Sequence, residues 1–228
     1  MSFTIRPLLP RDYVEAFAVA NLAFASFNTL LYTEYLPCAS SIEKLTAARL
    51  RDIAMMPKAS MFKAVDEDTG AIIGVTRWII ADHEKRVYHT VEQFVKNDGM
   101  QRIIPETNEV ATRAFYTMAT RGKWDILGLR DNNGAVVKFV PRVELETLCT
   151  HPDYQGAGVG SALVQWGVDV ADRLGMGVYL EATEVGRPLY EQFGFEVVKV
   201  VNFYAADFGG LGRHRYAFML RQPRTMRR

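Results

Sequence analysis

Cysteine is scarce in this chain of 228 residues, which contains only Cys38 and Cys149. Two cysteines exclude a disulfide framework. They show no metal-ligand spacing, so we expect no metal and a reducing, cytoplasmic compartment. Cys149 could serve as a nucleophile, but a buried cysteine on a core strand is the commoner arrangement.

Long apolar runs and an excess of either charge are also missing. No run reaches the roughly 20 residues that a membrane-spanning helix needs. The segment Met1–Pro7 lacks the apolar core of a signal peptide. The formal net charge is +1, which gives no reason to expect a nucleic-acid partner. We therefore expect a soluble protein, monomeric or homodimeric, without membrane or nucleic-acid partners.

Hydrophobic residues are plentiful and make up 49% of the chain. That share is sufficient for a sizeable core and argues against disorder. The length suits one large domain, or a domain that carries an insertion. We expect a single domain over residues 1–228.

The most informative segment joins a strand pattern at 143–150 to an apolar helix pattern at 160–174 through a glycine-rich turn. Gly156, Gly158 and Gly160 allow backbone amides to point into one concavity at the helix N-terminus, where an anion such as pyrophosphate is favoured. Two alternatives stay open at this point. The glycines could form only a tight turn. They could also form a dinucleotide loop, although the Rossmann spacing differs, with Glu181 or Glu184 as the acidic ribose ligand.

A second motif follows downstream. After a strand pattern at 177–182 comes a short helix whose end reads Leu-Tyr-Glu-x-x-Gly-Phe, over 189–195. The spacing Gln155-x-x-Gly158-x-Gly160 together with this second motif resembles the GNAT superfamily of acyl-CoA-dependent N-acyltransferases, over residues 143–200. The resemblance implies an α/β fold with a mixed central sheet, splayed near its middle and flanked by helices.

The remaining elements are assigned from periodicity. Strand patterns lie at 3–7, 61–65, 71–80, 124–129, 135–140, 197–204 and 216–220, and helix patterns at 13–27 and 42–56. Residues 83–140 contain helical stripes and a hairpin, and exceed what a minimal GNAT member needs. We expect them to be an insertion before the fourth core strand.

Acyl transfer to an amine requires a base, stabilisation of an oxyanion and an acid for the leaving thiolate. Glu144 and Glu146 share one face of their strand unless a bulge intervenes. The resemblance implies that Glu144 is the base, directly or through water, with Glu146 as the neighbouring candidate. Both carboxylates could instead face solvent or pair with a basic residue such as Arg142.

The resemblance also assigns the remaining site residues. Tyr190 matches the tyrosine that protonates the leaving thiolate, and its ordinary pKa near 10 is close to that of a thiol. Thr183 stands where many members have an asparagine that contacts the cofactor, and Arg187 either reaches the phosphates or faces solvent. The cosubstrate would be held by the backbone of Leu148, Cys149 and Thr150 and by the cradle Gln155, Gly156, Ala157, Gly158, Val159, Gly160 and Ser161.

These residues together predict an N-acetyltransferase. The acetyl group of acetyl-CoA would move to a primary amine of a small molecule through a tetrahedral intermediate. Two alternatives remain: an acetyltransferase acting on protein lysines or N-termini, and a non-catalytic domain that binds acyl-CoA as a sensor.

Overall fold

The computed structural model of the chain describes residues 1–33, 37–55, 59–82, 90–99 and 103–224. The nine strands in this part are β1 (Phe3–Pro7), β2 (Ala59–Asp66), β3 (Ile72–Ala81), β4 (Gly128–Arg130), β5 (Val136–Phe139), β6 (Arg142–Thr150), β7 (Gly177–Ala182), β8 (Glu196–Tyr204) and β9 (Arg213–Arg221).

The α-helices of the same part are α1 (Tyr13–Ala23), α2 (Ala25–Leu31), α3 (Ala39–Met55), α4 (Val91–Phe94), α5 (Glu109–Leu127), α6 (Val159–Leu174) and α7 (Arg187–Gln192). A π-helical turn at Val95–Gly99 follows α4, and 3-10 turns lie at Pro10–Asp12, Pro152–Tyr154 and Ala205–Phe208.

Seven strands form one mixed sheet in the order β1-β2-β3-β6-β7-β9-β8, while β4 and β5 form a separate hairpin. Within the large sheet, β6 and β7 pair in parallel and the other neighbours pair in antiparallel fashion. The predicted α/β fold with a mixed central sheet is confirmed.

Helices cover both faces of this sheet. On one face α6 packs through Leu163, Val164 and Val168. The Trp78 ring of β3 lies under α6 and donates to the Leu163 carbonyl at 3.3 Å. On the other face α1 packs through Tyr13, Ala16 and Val19 against β3 and β6, and α5 lies beside α2 and the β4–β5 hairpin.

The strand predicted at 124–129 is wrong over most of its length. Residues Trp124–Leu127 form the last turn of α5, and β4 begins only at Gly128. Helical spacing places Trp124 and Leu127 on one face, where the Trp124 ring packs edge-on against Phe139 at 5.7 Å. A short apolar run cannot distinguish a strand from a buried helix end.

The segment predicted as an insertion, 83–140, supplies α4, α5 and the β4–β5 hairpin, which precede the core strand β6. Its residues 83–89 and 100–102 lie outside the described residues. The helix predicted at 13–27 is divided at Phe24 into α1 and α2, and the strand and helix predictions at 177–182 and 160–174 agree with β7 and α6.

Candidate active site

The central sheet opens between β6 and β7. Pairing runs from Arg142 and Gly177 to Leu145 and Leu180, and stops there, although β6 continues to Thr150 and β7 to Ala182. Glu181 is therefore the first β7 residue without a β6 partner. Past this point the inner edge of β6 has no pairing with β7. Buried backbone groups there need other hydrogen-bond partners, which a ligand could supply; the Thr150 carbonyl already accepts from the Gln155 side chain at 3.4 Å.

A β-bulge on β6 lies at the same point. Arg77 pairs with Thr147 and Trp78 pairs with Leu145, so Glu146 is the extra residue. A bulge bends its strand and re-aims the side chains next to it. The predicted splay thus begins next to this bulge.

Glu144 lies on the α5 side of the sheet, 7% exposed. Its Oε1 accepts from Lys123 Nζ at 2.5 Å, and its Oε2 accepts from Arg142 Nε at 3.0 Å. Burial alone would raise the pKa of Glu144, but Lys123 and Arg142 outweigh it and hold that pKa below the ordinary value. The carboxylate is thus a weak base, neutralised by two cations, and its predicted role as base stays a prediction.

Glu146 faces the same side and pairs with Arg77 and with Arg49 of α3, the latter at 3.6 Å. Both strand acids therefore share one face, and both contact basic residues. The alternative that they pair with basic residues, with Arg142 among them for Glu144, describes their contacts.

Glu181 is a site residue for which the sequence suggested only a ribose-ligand role. Its Oε1 accepts from the Tyr179 hydroxyl at 2.7 Å and its Oε2 from the Tyr216 hydroxyl at 2.8 Å. Burial raises the pKa of Glu181 and Glu144 adds to the rise, while Lys123 and the two phenols reduce it. The signal in the sequence was an acid two residues from a tyrosine on an otherwise apolar strand.

The glycine-rich turn has the geometry of an anion cradle. Gly156 and Gly158 have φ angles of 78° and 86°, which favour glycine. A Cβ added to either would meet no atom within 4 Å. The first α6 amide that bonds back belongs to Ala162, to the Gly158 carbonyl at 3.0 Å, so the preceding amides of the helix N-terminus are available to an anion.

Most of the predicted cosubstrate residues line one cavity of 1640 Å³, which runs from this cradle through the splay to the α2–α5 side. The predicted residues that line it are Glu144, Glu146, Leu148, Cys149, Thr150, Gln155, Gly156, Gly158, Gly160, Ser161, Thr183 and Tyr190. Three others do not: Ala157 is exposed, the Val159 side chain is buried under the sheet and Arg187 lies beside a smaller cavity.

Cys149 is not suited to nucleophilic attack. Its side chain is buried beneath α1, and burial raises the pKa of the thiol to about 12. Since the thiolate is the reactive form, the thiol is inert at neutral pH. Its backbone, on the inner edge of β6, keeps the role predicted from the resemblance.

Tyr190 on α7 is 7% exposed and lines the cavity. Burial raises its pKa, with Cys149 adding to the rise, so its hydroxyl stays protonated at neutral pH. That hydroxyl makes no hydrogen bond to the described part of the chain. A phenol that keeps its proton and has no partner can donate to a ligand atom.

Thr183 and Arg187 are held by local contacts. The Thr183 hydroxyl accepts from the Gly186 amide at 3.1 Å, which orders the turn into α7. Arg187 Nε donates to Glu191 at 2.7 Å along α7. Of the two expectations for Arg187, this contact favours the solvent-facing one.

The part of the chain that the structure describes contains no group of three or more histidine, cysteine or acidic side chains placed to hold a metal ion. No single helix there is long and apolar enough to cross a membrane; Pro10–Ala23 and Ala25–Leu31 reach that length and composition only together, with an 85° bend between them.

The part of the chain that matches known protein sequences includes β6, the glycine cradle, β7 and α7. Residues 124–197 match the family of the acetyltransferase (GNAT) domain. The protein of Ajellomyces capsulatus named "Probable acyltransferase SID5" is 39% identical over 74 residues, which are 28% of this chain and 54% of that protein. An uncharacterized N-acetyltransferase of Schizosaccharomyces pombe is 29% identical over 82 residues, 36% of this chain and 34% of its own length. The chain thus aligns with about half of the first relative and a third of the second.

Among solved structures, arylalkylamine N-acetyltransferase 2 from Aedes aegypti superposes with a TM-score of 0.63 at 12% identity. The superposition covers 98% of this chain and 100% of that one. At that identity the likeness concerns the fold, which it extends beyond the segment matched by sequence.

Proposed function

We propose that this chain, which carries a GNAT acetyltransferase domain, is an N-acetyltransferase that moves the acetyl group of acetyl-CoA to a primary amine of a small molecule. The observation that carries the proposal is the continuity of three features along one cavity. The glycine cradle, the unpaired inner edge of β6 and Tyr190 all line this cavity, and acetyl-CoA would place its pyrophosphate, pantetheine and sulfur against them in that order.

The residues present fit acetyl-CoA. The positive φ angles of Gly156 and Gly158, and the empty space where their Cβ atoms would lie, allow a pyrophosphate to approach the backbone. The carbonyl and amide groups of Leu148–Thr150 on the unpaired edge can bond a pantetheine amide in the manner of a strand. When bound, acetyl-CoA supplies an activated thioester.

The protein contributes position and proton transfer. Backbone donors at the splay would stabilise the oxyanion as charge develops on the thioester oxygen. The protonated Tyr190 would give its proton to the departing sulfur. A base would take a proton from the amine. The candidates from the sequence are Glu144, Glu146 and a water chain.

The apolar end of the cavity, here called the acceptor chamber, suits a small-molecule acceptor. The cavity continues past the splay between α1, α2 and α5, where Phe24, Phe27 and Tyr116 line it. Small-molecule and cofactor sites are concave and mostly apolar.

The test is a thiol-release assay with acetyl-CoA and a panel of primary amines, lysine peptides and N-terminal peptides. We expect amine-dependent CoA release with small amines and little with peptides. Release only with peptides would favour the protein acetyltransferase. CoA binding by calorimetry without release on any acceptor would favour the sensor.

A further inference from the structure

Glu181 occupies the vertex of the splay without a cation of its own. Within the described residues, its two oxygens accept from the Tyr179 and Tyr216 phenols and from no ammonium or guanidinium group. Lys123 acts on it only through space, because the Lys123 ammonium bonds Glu144. Hydrogen bonds from neutral phenols fix the orientation of the carboxylate and supply no positive charge at its oxygens.

The other two acids near the vertex differ in this respect. Glu144 is bonded to Lys123 and Arg142, and Glu146 to Arg49 and Arg77. An amine arriving as an ammonium ion would have to displace an existing ion pair at either of them. At Glu181 it would complete one, and a desolvated ion pair with additional hydrogen bonds is the favourable arrangement.

An aromatic wall extends from Glu181 into the cavity. The Tyr216 ring, whose hydroxyl holds Glu181, packs edge-on against Phe115 with centroids 5.3 Å apart. Phe115 in turn packs against Phe27 at 5.0 Å, and Phe27 against His214 at 5.0 Å. All four rings line the cavity. One carboxylate at the end of an apolar wall suits a ligand with one cationic end and an apolar body.

His214 closes this wall without adding charge. Burial lowers the pKa of His214, although the nearby Glu184 opposes the shift, and Nε2 of His214 has no hydrogen-bond partner among the described residues. The ring is therefore neutral near physiological pH and offers one polar atom to the far part of an acceptor.

We propose that Glu181 binds the acceptor as its ammonium ion and takes its proton, and that the acceptor is a primary amine with an aromatic or similarly apolar body. This inference rests on the proposed function and identifies its acceptor site. Glu181 would thereby replace Glu144 as the proton acceptor, while Glu144 holds Lys123 in place.

The protons balance in this scheme. The ammonium ion gives one proton to the Glu181 carboxylate, which passes it to solvent. The free amine then forms the N–C bond to the thioester carbonyl carbon, and the C–S bond breaks. The sulfur receives the Tyr190 proton, and the second proton lost by the nitrogen restores Tyr190. The products are the amide, CoA thiol and one proton released to solvent.

The first experiment measures binding without turnover. Calorimetry in the presence of CoA would compare 2-phenylethylamine with 2-phenylethanol on wild type, Glu181→Gln and the control Glu196→Gln, whose carboxylate is exposed on β8. We expect Glu181→Gln to weaken the amine by about tenfold or more and leave the alcohol unchanged, since a charge-assisted bond is lost. Equal amine binding by wild type and Glu181→Gln would overturn the proposal, as would a wild type that binds neither probe.

The second experiment measures kcat/KM for the best amine of the panel against pH. Tyr179, Tyr216, Lys123 and Glu144 face Glu181 from β7, β9, α5 and β6. We expect wild-type activity to fall as pH drops and Glu181 becomes protonated. In Glu181→Gln that acid limb should vanish and the rate should be about 10²–10⁴-fold lower. Glu181→Asp, which keeps the charge, should retain the limb.

The two ideas can fail separately. Amine acetylation that is unaffected in Glu181→Gln would overturn the role of Glu181 and leave the proposed function standing. Glu181-dependent binding of 2-phenylethylamine, with no acetylation of any amine, would support the acceptor site and overturn the proposed function. If the role of Glu181 is purely structural, Glu181→Gln should change the binding of 2-phenylethylamine and 2-phenylethanol alike and leave the acid limb in place, which would also overturn the proposal.

Discussion

Lys123 Nζ lies 2.5 Å from Oε1 of Glu144, in an ion pair that Arg142 completes from the other side. This contact joins α5, from the segment before the fourth core strand, to the centre of the sheet. It therefore fixes the helix that carries much of the proposed acceptor chamber.

Glu144→Gln is expected to destabilise the protein by about 3–5 kcal/mol at neutral pH, because it leaves two buried cations without their charge partner. The lowered pKa of Glu144 sets the sign of the pH effect. Its stabilisation is present above the ordinary carboxyl pKa and is lost as pH falls through the lowered native value. Urea unfolding of both proteins across the acid range measures this.

The control for that experiment is Arg113→Ala, which removes an exposed pair with Glu109. It should cost less than about 0.5 kcal/mol. A Glu144→Gln protein as stable as this control would mean that the ion pair contributes little.

Gly158→Val is expected to abolish CoA binding in calorimetry. The new side chain would fill the space above the cradle, where a Cβ now meets no atom within 4 Å. Gly175→Val is the matched control, because Gly175 ends the same helix with φ 63° and equally open surroundings. Both variants carry backbone strain, so a general effect of strain should appear in both. Only Gly158→Val should lose CoA binding, because only Gly158 lies in the cradle. Equal CoA affinity in Gly158→Val and Gly175→Val would mean that the glycine-rich turn does not bind CoA.

Tyr190→Phe is expected to lower the rate of acetyl transfer by about 10²–10⁴-fold. Stability should change little, since the hydroxyl has no partner among the described residues and the ring remains. The loss should shrink with an acyl donor whose thiol has a lower pKa, because that thiolate needs less protonation. Wild-type turnover in this variant, with chemistry shown to be rate-limiting, would reduce Tyr190 to a packing residue.

Alkylation should distinguish the two cysteines. Hydrogen bonds with Ser40 and Ser41 lower the pKa of the exposed Cys38, whereas burial raises the pKa of Cys149 to about 12. Mass spectrometry after brief iodoacetamide treatment near neutral pH should find one label, on Cys38. Labelling of Cys149 in the folded protein would contradict the packing beneath α1.

Gly167→Ala is expected to destabilise the fold by about 1–3 kcal/mol, because overpacking a tight contact costs that much. A Cβ at this position would lie 2.4 Å from atoms of the Trp78 ring. Gly177→Ala serves as the control, since its Cβ would meet only the Arg221 carbonyl, at 3.6 Å. Similar melting temperatures of the two variants would mean that α6 can move away from β3.

The sequence was sufficient for the elements around the cradle and insufficient for the acceptor side. Glycines at 156 and 158, a strand before them and an amphipathic helix after them are local signals, and β7 and α6 lie where those signals predict. The run at 124–129 contains no clear turn signal between the helix and the hairpin. Trp124–Leu127 belong to α5 because Trp124 packs against the hairpin there.

Glu181 shows why the acceptor side of the cavity could not be predicted from the sequence. Its two phenols come from Tyr179, two residues away, and from Tyr216, 35 residues away. The second becomes a neighbour only because β9 is inserted between β7 and β8. Strand order of that kind depends on the whole chain. For the same reason the sequence suggested Arg142 as a cation beside Glu144, but it did not suggest Lys123.

The opening between β6 and β7 leaves an unpaired strand edge inside the sheet. Exposed strand edges invite pairing with other chains, and here the edge lies within the core layer. On the proposed function, acetyl-CoA is the molecule that covers it and acts as a temporary extra strand. Ligands that bind only the folded state stabilise it in proportion to the logarithm of their concentration. The supply of acyl-CoA would thus set how strongly this protein resists unfolding, as well as its turnover.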